Sequence, residues 1–224
     1  MYTIHHLNDS RSQRIIWLME LLHLDYEIKV YWRDKKTNLA PQALKDLHPL
    51  GTSPIITHEG QTIAESGAIC EYVIQQCGQQ DLMPAQDTPE YIQVQFWSHF
   101  AEGSFLPPLV ANMVLNKAKE KSPWLIKPIA NKLVDAIMDA YFNKAIKRNF
   151  TFIEQYLSDK TWFVGEKPTI ADVQMSFAME AVDKAGRFKQ FPNMAAYVER
   201  LQKLPSYQQA LKRMQDAEEA TKLD

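Results

Sequence analysis

The segment His-Pro-Leu-Gly-Thr-Ser-Pro-Ile-Ile-Thr-His-Glu-Gly-Gln-Thr-Ile-Ala-Glu-Ser-Gly-Ala-Ile, residues 48–69, carries most of the information about the fold. Its first seven residues include two prolines and a glycine, which end regular structure and form turns. Two short β-rich runs follow, 54–57 and 61–64, and the Glu59-Gly60 pair between them suits a tight hairpin. A helical pattern then extends from Ser66 to about Gln76. The segment therefore predicts a β-hairpin that leads into a helix.

Strand and helix patterns alternate upstream of residue 48. A β-rich run covers 2–7, and a helix is predicted after the polar turn that follows it, because apolar residues repeat at the i, i+3, i+4, i+7 spacing from Ile15 to Leu22. A second strand is predicted over 26–31 and a brief helix over 42–47. With the hairpin and its helix, the order is βαβ, α, ββα. This order describes a small α/β sheet domain with one antiparallel edge.

The chain changes character near residue 85. Residues 81–89 contain two prolines and few apolar side chains, so they are predicted to be a linker between a domain over 1–80 and another over 90–224. Beyond the linker the strand patterns nearly vanish, and apolar residues recur at helical spacing, as in the i+4 series from Ile129 to Tyr141. The second domain is therefore predicted to be all-helical.

Composition and charge argue against several classes of function. The 224 residues carry a formal net charge of −2 and no block of Lys or Arg, so neither nucleic acid nor a membrane is an expected partner. The longest apolar stretch, 15–22, is too short to span a bilayer. Cys70 and Cys77 make no disulfide framework and no signal-peptide pattern is present, so a cytoplasmic location is expected. No metal is expected, because the His, Cys and carboxylate residues lack metal-ligand spacing.

Three stretches, in this order, resemble the signatures of the cytosolic glutathione S-transferase superfamily. Residues 48–56 are similar to its Asn-Pro-Leu-Gly-x-x-Pro stretch, 63–69 to its Glu-Ser motif, and 165–172 to its Gly-x-x-x-Thr-x-Ala-Asp signature. The resemblance covers nearly the whole chain. It implies a thioredoxin-like N-terminal domain, an all-α C-terminal domain, a homodimer, and transfer of glutathione to small hydrophobic electrophiles. Residues 8–27 and 100–109 look most like a fungal and bacterial branch with a Ser-Arg pair at the start of helix one.

An enzyme of this kind must ionise the glutathione thiol near neutral pH. A free thiol has a pKa of about 8.5, so only a few per cent is thiolate there. The resemblance places the activating group at the turn into helix one, where Ser10 offers a hydroxyl, Arg11 a positive charge and Ser12 a second hydroxyl. When residues are counted back from Leu24, the serine position of several serine-using classes falls on Asp9, so placing Ser10 there requires a local shift. The alternative is that Ser10 and Ser12 only cap the helix.

The resemblance also implies a glutathione-binding set. Pro54 is expected to be the family's cis proline, which turns Ser53 so that its backbone pairs with the cysteinyl amide of glutathione as an added strand. Ser66 is expected to receive the γ-glutamyl carboxylate at a helix N-terminus, and Glu65 to pair with the α-ammonium group. The residues alone also permit a trans proline at a strand edge and a Glu-Ser pair that merely opens a helix.

The glycine end of glutathione is not assigned to one residue. Thr52 stands where many relatives carry lysine, so other cations are needed there. The candidates are Lys35, Lys36 and Lys45.

The electrophile is expected to bind between the domains, since ligand sites favour such clefts. The candidate lining residues share one helix of the second domain: Phe96, His99, Phe100 and Phe105. Aromatic residues at helical spacing are equally typical of a core. Thr169 and Asp172 fit a Thr-x-x-Asp capping box and are interpreted as structural.

Two other functions fit the same residues. The first is a non-catalytic module for protein–protein contact, since a fold does not guarantee activity. Retention of Pro54, Glu65 and Ser66 argues instead for an intact tripeptide site. The second is glutathione-dependent peroxidase or thiol oxidoreductase activity at the same site. Disulfide exchange would need a nucleophilic sulfur near the turn at 8–12, and the sequence has no cysteine there.

Overall fold

The computed structural model describes residues 1–78 and 81–222. The N-terminal part contains a four-stranded sheet in the order β2-β1-β3-β4. Its strands are β1 (Tyr2–Leu7), β2 (Tyr26–Tyr31), β3 (Ile55–His58) and β4 (Gln61–Ala64). Strand β1 pairs with β2 in parallel and with β3 antiparallel, and β4 is antiparallel to β3. The predicted mixed sheet is confirmed. Strand β3 begins one residue after Pro54, which has no N–H for a ladder.

Three helices accompany the sheet: α1 (Ser12–Leu21), α2 (Gln42–Leu47) and α3 (Ser66–Cys77). Helix α1 is buried on nearly all sides, because it lies against β1 and α3 as well as against two helices of the C-terminal part, Ile170–Lys184 and Pro205–Lys222. Ile15, Ile16 and Trp17 have no exposed surface. The start of α1 is therefore held in place by both parts of the chain.

The C-terminal part is all-helical, as predicted. Its helices are α4 (Pro89–Phe100), α5 (Leu106–Lys121), α6 (Lys127–Ile137), α7 (Asn143–Tyr156), α8 (Ile170–Lys184), α9 (Pro192–Gln202) and α10 (Pro205–Lys222). π-Helical turns at 101–105 and 138–142 join α4 to α5 and α6 to α7. Within residues 1–78 and 81–222, no helix has the length and apolar character that crossing a membrane requires.

Helix α4 begins inside the range 81–89 that the sequence predicts as a linker. Pro89 takes the first helical position, which suits a residue without an N–H, and Thr88 Oγ1 accepts the N–H of Tyr91 at 3.3 Å. Four residues lie outside the described residues: 79 and 80, at the end of the first predicted domain, and 223 and 224, at the end of the second.

An apolar stripe on α6 and the following π-turn faces away from the core. Ile129, Leu133 and Tyr141 keep 70%, 59% and 65% of their surface exposed. On a neighbouring side of the same segment, Val134 and Met138 are buried. The periodicity therefore predicts the helix correctly, but the face that it marks is not covered by this chain. We call Ile129, Leu133, Ile137 and Tyr141 the α6 stripe.

Thr169 and Asp172 form a capping box at the start of α8. The Asp172 carboxylate accepts the backbone N–H of Thr169 at 2.8 Å and of Phe163 at 3.0 Å, and the Tyr197 hydroxyl at 3.1 Å. Burial raises the pKa of Asp172 to about 6, although these hydrogen bonds oppose the rise. One carboxylate thus joins the start of α8 to the preceding loop and to α9.

Candidate active site

Three serine hydroxyls meet where β1 passes into α1. Ser10 Oγ lies 2.8 Å from Ser12 Oγ and 3.1 Å from Ser53 Oγ. Ser10 Oγ also accepts the backbone N–H of Ser12 at 3.3 Å. The oxygen of Ser10 therefore stabilises the helix start, while its proton can still be donated elsewhere. The N-cap position itself is Arg11 and carries no side-chain cap, so accepting the first N–H of α1 and activating a thiol are compatible roles for the Ser10 hydroxyl.

Ser53 precedes a cis peptide bond to Pro54. Its hydroxyl donates to the carbonyl of His5 at 3.1 Å and lies 3.4 Å from the N–H of Leu7, so the loop before β3 is attached to β1. Gly51 begins this loop at φ +58, and a Cβ there would come within 2.5 Å of Lys45 Cγ. Glycine is required because the backbone is left-handed and lies against the Lys45 side chain.

A cavity of about 450 Å³ opens in front of these serines. We call it the Ser10 cavity; its lining includes Asp9, Ser10, Arg11, Arg33, Lys45, Thr52, Ser53 and Phe177. The Arg33 side chain donates to the carbonyls of Asn8 at 3.1 Å and Asn38 at 3.2 Å, which fixes its position. Of the three lysines that are candidates for the glycine end of glutathione, Lys45 lines this cavity. Arg33 lines it too, although the sequence does not mark Arg33 as a candidate. One wall of the cavity is thus suited to a carboxylate.

A second cavity, of about 570 Å³, lies at the start of α3. We call it the Ser66 cavity; Glu65, Ser66, His99, Glu102 and Gln174 are among its lining residues. Glu65 has φ +71, a conformation that costs energy for a residue with a side chain and that is common in binding sites. The Ser66 hydroxyl donates to Gln174 Oε1 at 3.0 Å. The predicted pair therefore borders a cavity at a helix N-terminus.

A buried arginine lies beneath Ser66. Arg14 has no exposed surface, and its guanidinium donates to Gln174 Oε1 at 3.1 Å, to Ser66 Oγ at 3.4 Å and to the Glu102 carboxylate. Arg11 Nη1 lies 3.6 Å from the other oxygen of Glu102. Glu102 sits in the π-turn between α4 and α5, a feature frequent at functional sites. The charge of Arg11 is therefore shared with Glu102 and is not free to act on a ligand alone.

The predicted aromatic lining residues pack mainly on one another. The ring centroids of Phe96 and Phe100 are 5.8 Å apart, those of Phe100 and Phe105 are 6.2 Å apart, and Trp97 joins the cluster. They do this rather than line the cavities beside Ser10, because an aromatic series on one helix packs against the neighbouring helix, here α7. His99 borders the Ser66 cavity instead.

Phe177 of α8 is the aromatic residue beside Ser10. It lines the Ser10 cavity and a third cavity of about 310 Å³, which we call the Phe177 cavity, between the Ser10 turn, α8 and α10. In the sequence Phe177 is one apolar residue among many on α8, so no local pattern distinguishes it.

Neither cysteine lines the Ser10 cavity. Cys70 and Cys77 are free thiols on α3, and burial raises the pKa of the Cys70 thiol to about 12. Among the described residues, no group of three or more His, Cys, Asp or Glu side chains is arranged to hold a metal ion. The reactive sulfur must therefore come from a ligand if this site performs thiol chemistry.

Comparison with known proteins gives matches for both parts of the chain. The glutathione S-transferase N-terminal domain matches residues 10–76, and the glutathione S-transferase C-terminal domain matches 122–205. Glutathione S-transferase 3 of Schizosaccharomyces pombe is 36% identical over 184 residues, which span 82% of this chain and 75% of that protein. Glutathione S-transferase 1 of Saccharomyces cerevisiae is 35% identical over 185 residues, 79% of each chain. The crystal structure of a glutathione S-transferase from Actinobacillus pleuropneumoniae superimposes with a TM-score of 0.75 at 31% identity, covering 95% of this chain and 92% of that one.

Proposed function

The chain belongs to the cytosolic glutathione S-transferase superfamily, and on this basis we propose that it ionises glutathione at Ser10 and transfers the thiolate to small hydrophobic electrophiles. One observation carries the proposal. The Ser10 hydroxyl, whose proton the helix cap does not use, opens into a cavity that also holds Arg33 and Lys45. A hydroxyl donor to sulfur and cations for a carboxylate are what a bound glutathione thiolate needs.

The charges around the cavities match those of the extended tripeptide. The glycine carboxylate points towards Arg33 and Lys45, and the cysteinyl amide pairs with the backbone of Ser53 as an added strand. The γ-glutamyl end reaches the start of α3, where Ser66 receives the α-carboxylate and Glu65 the α-ammonium group. Thr52 lines the cavity between the two ends and makes no charged contact in this arrangement.

Replacing Ser66 with alanine should weaken glutathione binding at least about tenfold, because a hydrogen bond to a charged group contributes roughly 1.5–3 kcal/mol. Turnover at saturating glutathione should change much less, since the residue binds the end of the tripeptide that does not react. Titration calorimetry and the ratio of KM to kcat measure the two effects. Ser158→Ala, which removes an exposed hydroxyl bonded to the carbonyl of Gln155, is the matched control. An unchanged Kd for Ser66→Ala would remove Ser66 from the site.

The electrophile meets the thiolate in the Phe177 cavity. Phe177 and Met214 supply apolar surface there, next to Ser10. This location replaces the pocket suggested by Phe96, Phe100 and Phe105 in the sequence, whose rings pack within the helical part. The cavity borders α8 and α10, so the identity of the electrophile depends on both helices.

Immobilised glutathione tests the proposed function. Retention followed by turnover of an aromatic halide is the expected result. Failure to bind would favour the non-catalytic module, and turnover of an organic hydroperoxide without turnover of the halide would favour the peroxidase. The cytoplasmic location remains a prediction, which fractionation of cells that produce the protein would test.

We further propose that a second copy of the chain covers the α6 stripe. Exposed apolar side chains at successive helical turns form a contiguous patch, and such patches mark interaction surfaces. A two-fold pair of identical helices would bury the same residues from both copies. The homodimer implied by the family resemblance provides that arrangement.

Leu133→Glu should weaken this dimer at least about tenfold, because it removes the burial of a leucine, about 1.5–3 kcal/mol, and places a charge in an apolar interface. Sedimentation velocity across a dilution series measures the change. Lys132→Glu introduces the same residue at the neighbouring exposed position, outside the stripe, and should leave the dimer intact. A wild-type chain that sediments as a monomer at micromolar concentration would contradict the proposal.

A further inference from the structure

A chain of hydrogen bonds leads from Ser10 into the protein. Ser10 Oγ is 2.8 Å from Ser12 Oγ, and Ser12 Oγ is 2.6 Å from Nδ1 of His6. On the other side of the ring, His6 Nε2 is 2.9 Å from Oε1 of Glu218. Ser12 is fully buried and His6 is 1% exposed, so bulk water does not compete for the bond between them, whereas Glu218 lines a cavity and its side chain is 22% exposed. A strand, a helix start and the C-terminal helix α10 each contribute to the chain.

The donor and the acceptor of each hydrogen bond between Glu218 and Ser12 follow from the Glu218 carboxylate. Glu218 can only accept, so Nε2 of His6 carries a hydrogen and Nδ1 of the neutral ring is an acceptor. The Ser12 hydroxyl must then donate to Nδ1, which leaves its oxygen free to accept from Ser10. The Ser53 hydroxyl donates to the carbonyl of His5, so its oxygen is a second acceptor for the Ser10 proton, at 3.1 Å. When Ser10 donates to Ser12 instead, every hydroxyl proton between Ser10 and the imidazole points towards His6.

We propose that this chain is a proton path, by which His6 accepts the thiol proton of glutathione through Ser10 and Ser12. The sulfur–hydrogen bond breaks as its proton moves to Ser10 Oγ, the Ser10 proton moves to Ser12 Oγ, and the Ser12 proton moves to Nδ1. Both hydroxyls are regenerated, and the net products are a thiolate and an imidazolium. Only protons are transferred and no atom is oxidised or reduced, so the step needs no oxidant or reductant. The proposal rests on the function proposed above and names the base that it requires.

After the proton transfer each hydrogen bond between His6 and Ser10 has the opposite direction, and this series of hydrogen bonds stabilises the thiolate. Once His6 is protonated, Nδ1 donates to Ser12, Ser12 to Ser10, and Ser10 to the sulfur, so all bonds point towards the negative charge. Hydrogen bonds in such a series polarise one another, and those to an ion are the stronger ones. Glu218 plays the part that the carboxylate plays beside the histidine of a hydrolase triad, since it selects the tautomer and stabilises the cation.

Charged side chains line the cavity that His6 borders. The Phe177 cavity, which His6 borders, also exposes Asp9, Glu180, Lys184 and Glu218. Glu180 and Lys184 lie 3.6 Å apart and largely offset each other. The carboxylates of Asp9 and Glu218 remain as a net negative charge near the ring. Asp9, on which the serine position of several serine-using classes falls, is thus one of the carboxylates of this cavity.

The experiment measures whether the thiol proton stays on the protein or is released to the solvent. Glutathione is added to the full chain at near-neutral pH in weak buffer, the thiolate is measured by its ultraviolet absorbance, and released protons by a pH indicator. Because His6 keeps the proton, wild type should release well under one proton per thiolate formed. Ser12→Ala should form several-fold less thiolate, and release about one proton for each thiolate that does form. Nitrogen NMR of the imidazole should show His6 changing from neutral to charged when glutathione binds.

Two substitutions separate a proton acceptor from a structural support. His6→Asn keeps an oxygen near the place of Nδ1 that can accept the Ser12 hydroxyl, but it cannot take a proton at neutral pH, so it should behave as Ser12→Ala does. Ser12→Thr restores the hydroxyl and should recover most of the thiolate. Glu218→Ala should lower kcat/KM several-fold near neutral pH with the loss shrinking as pH rises, while Glu219→Ala, at the exposed neighbouring position, should not.

The outcomes distinguish the two proposals. Wild type that binds glutathione without forming thiolate overturns both. The proton path is overturned if wild type forms the thiolate but releases about one proton for each thiolate, and if the His6 ring stays neutral in the NMR spectrum. That result would not contradict the proposed transferase activity. Full activity of His6→Asn would likewise reduce His6 to a structural support.

Discussion

Ser10→Ala should lower turnover of an aromatic halide at neutral pH at least about tenfold and raise the pKa of bound glutathione by about 1–2 units, because one hydrogen bond to a charged group contributes roughly 1.5–3 kcal/mol. Two observations single out Ser10. Its oxygen borders the cavity, and its proton, which is directed at the hydroxyl oxygens of Ser12 and Ser53, can turn to a sulfur bound there. Ser12 is fully buried, so its hydroxyl acts through Ser10.

The thiolate absorbance of bound glutathione, titrated against pH, measures this pKa directly. Ser10→Thr keeps the hydroxyl and should retain most of the effect. Arg11→Ala should have a smaller effect, because Glu102 already shares the charge of Arg11 at 3.6 Å. The assignment of Ser10 fails if Arg11→Ala raises the thiol pKa and Ser10→Ala leaves it unchanged. Normal glutathione binding by Ser10→Ala would show that the site itself is intact.

Local patterns were sufficient for the strands. Each predicted strand matches the observed one to within a residue, because its length and flanking turns are encoded in a few neighbouring side chains. The hairpin at Glu59-Gly60 and the helix that opens at Ser66 follow from the same segment. The Thr169-x-x-Asp172 pattern also predicted its capping box, since both partners lie within one helical turn.

Contacts between distant parts of the chain were not predictable in this way. His6 looks like an ordinary strand residue until α10 places Glu218 beside it, 212 positions later in the sequence. Arg14 likewise lies on a mainly apolar helix, and its partners Glu102 and Gln174 come from the second domain. Periodicity identified the α6 stripe as apolar, but whether this chain or another covers it depends on the tertiary arrangement.

Asp172→Ala should lower the free energy of unfolding by about 3–5 kcal/mol, the largest stability loss that we expect from a single side chain outside the site. It leaves the N–H groups of Phe163 and Thr169 and the hydroxyl of Tyr197 buried without their acceptor. Each such group costs roughly 1–3 kcal/mol, and the cap of α8 is lost as well. Since a domain is stable by only about 5–15 kcal/mol, thermal unfolding should shift by roughly 10 °C or more.

Denaturant unfolding with a check for two-state behaviour measures the loss. Asp216→Ala removes an exposed carboxylate from α10 and should change the free energy by less than about 0.5 kcal/mol. Asp172→Asn keeps the volume and one acceptor oxygen, so it should fall between wild type and alanine. A loss below about 1 kcal/mol for Asp172→Ala would mean that water or a local shift satisfies the three donors.

The difference in unfolding free energy between wild type and Asp172→Asn depends on pH. This dependence reports the protonation state of the Asp172 carboxyl group. Its pKa of about 6 in the folded protein lies above the ordinary value of 3.8, because burial outweighs the hydrogen bonds that it accepts. The folded protein therefore holds this proton to higher pH than the unfolded chain does, and the contribution of Asp172 to stability is fully present below the ordinary pKa and declines as pH rises to about 6. Asparagine does not titrate, so the stability advantage of wild type over Asp172→Asn should shrink across that window. An advantage that grows as pH rises to the ordinary value of 3.8 and stays constant above it would show that the hydrogen bonds outweigh burial, and the folded pKa of Asp172 would then lie below its ordinary value.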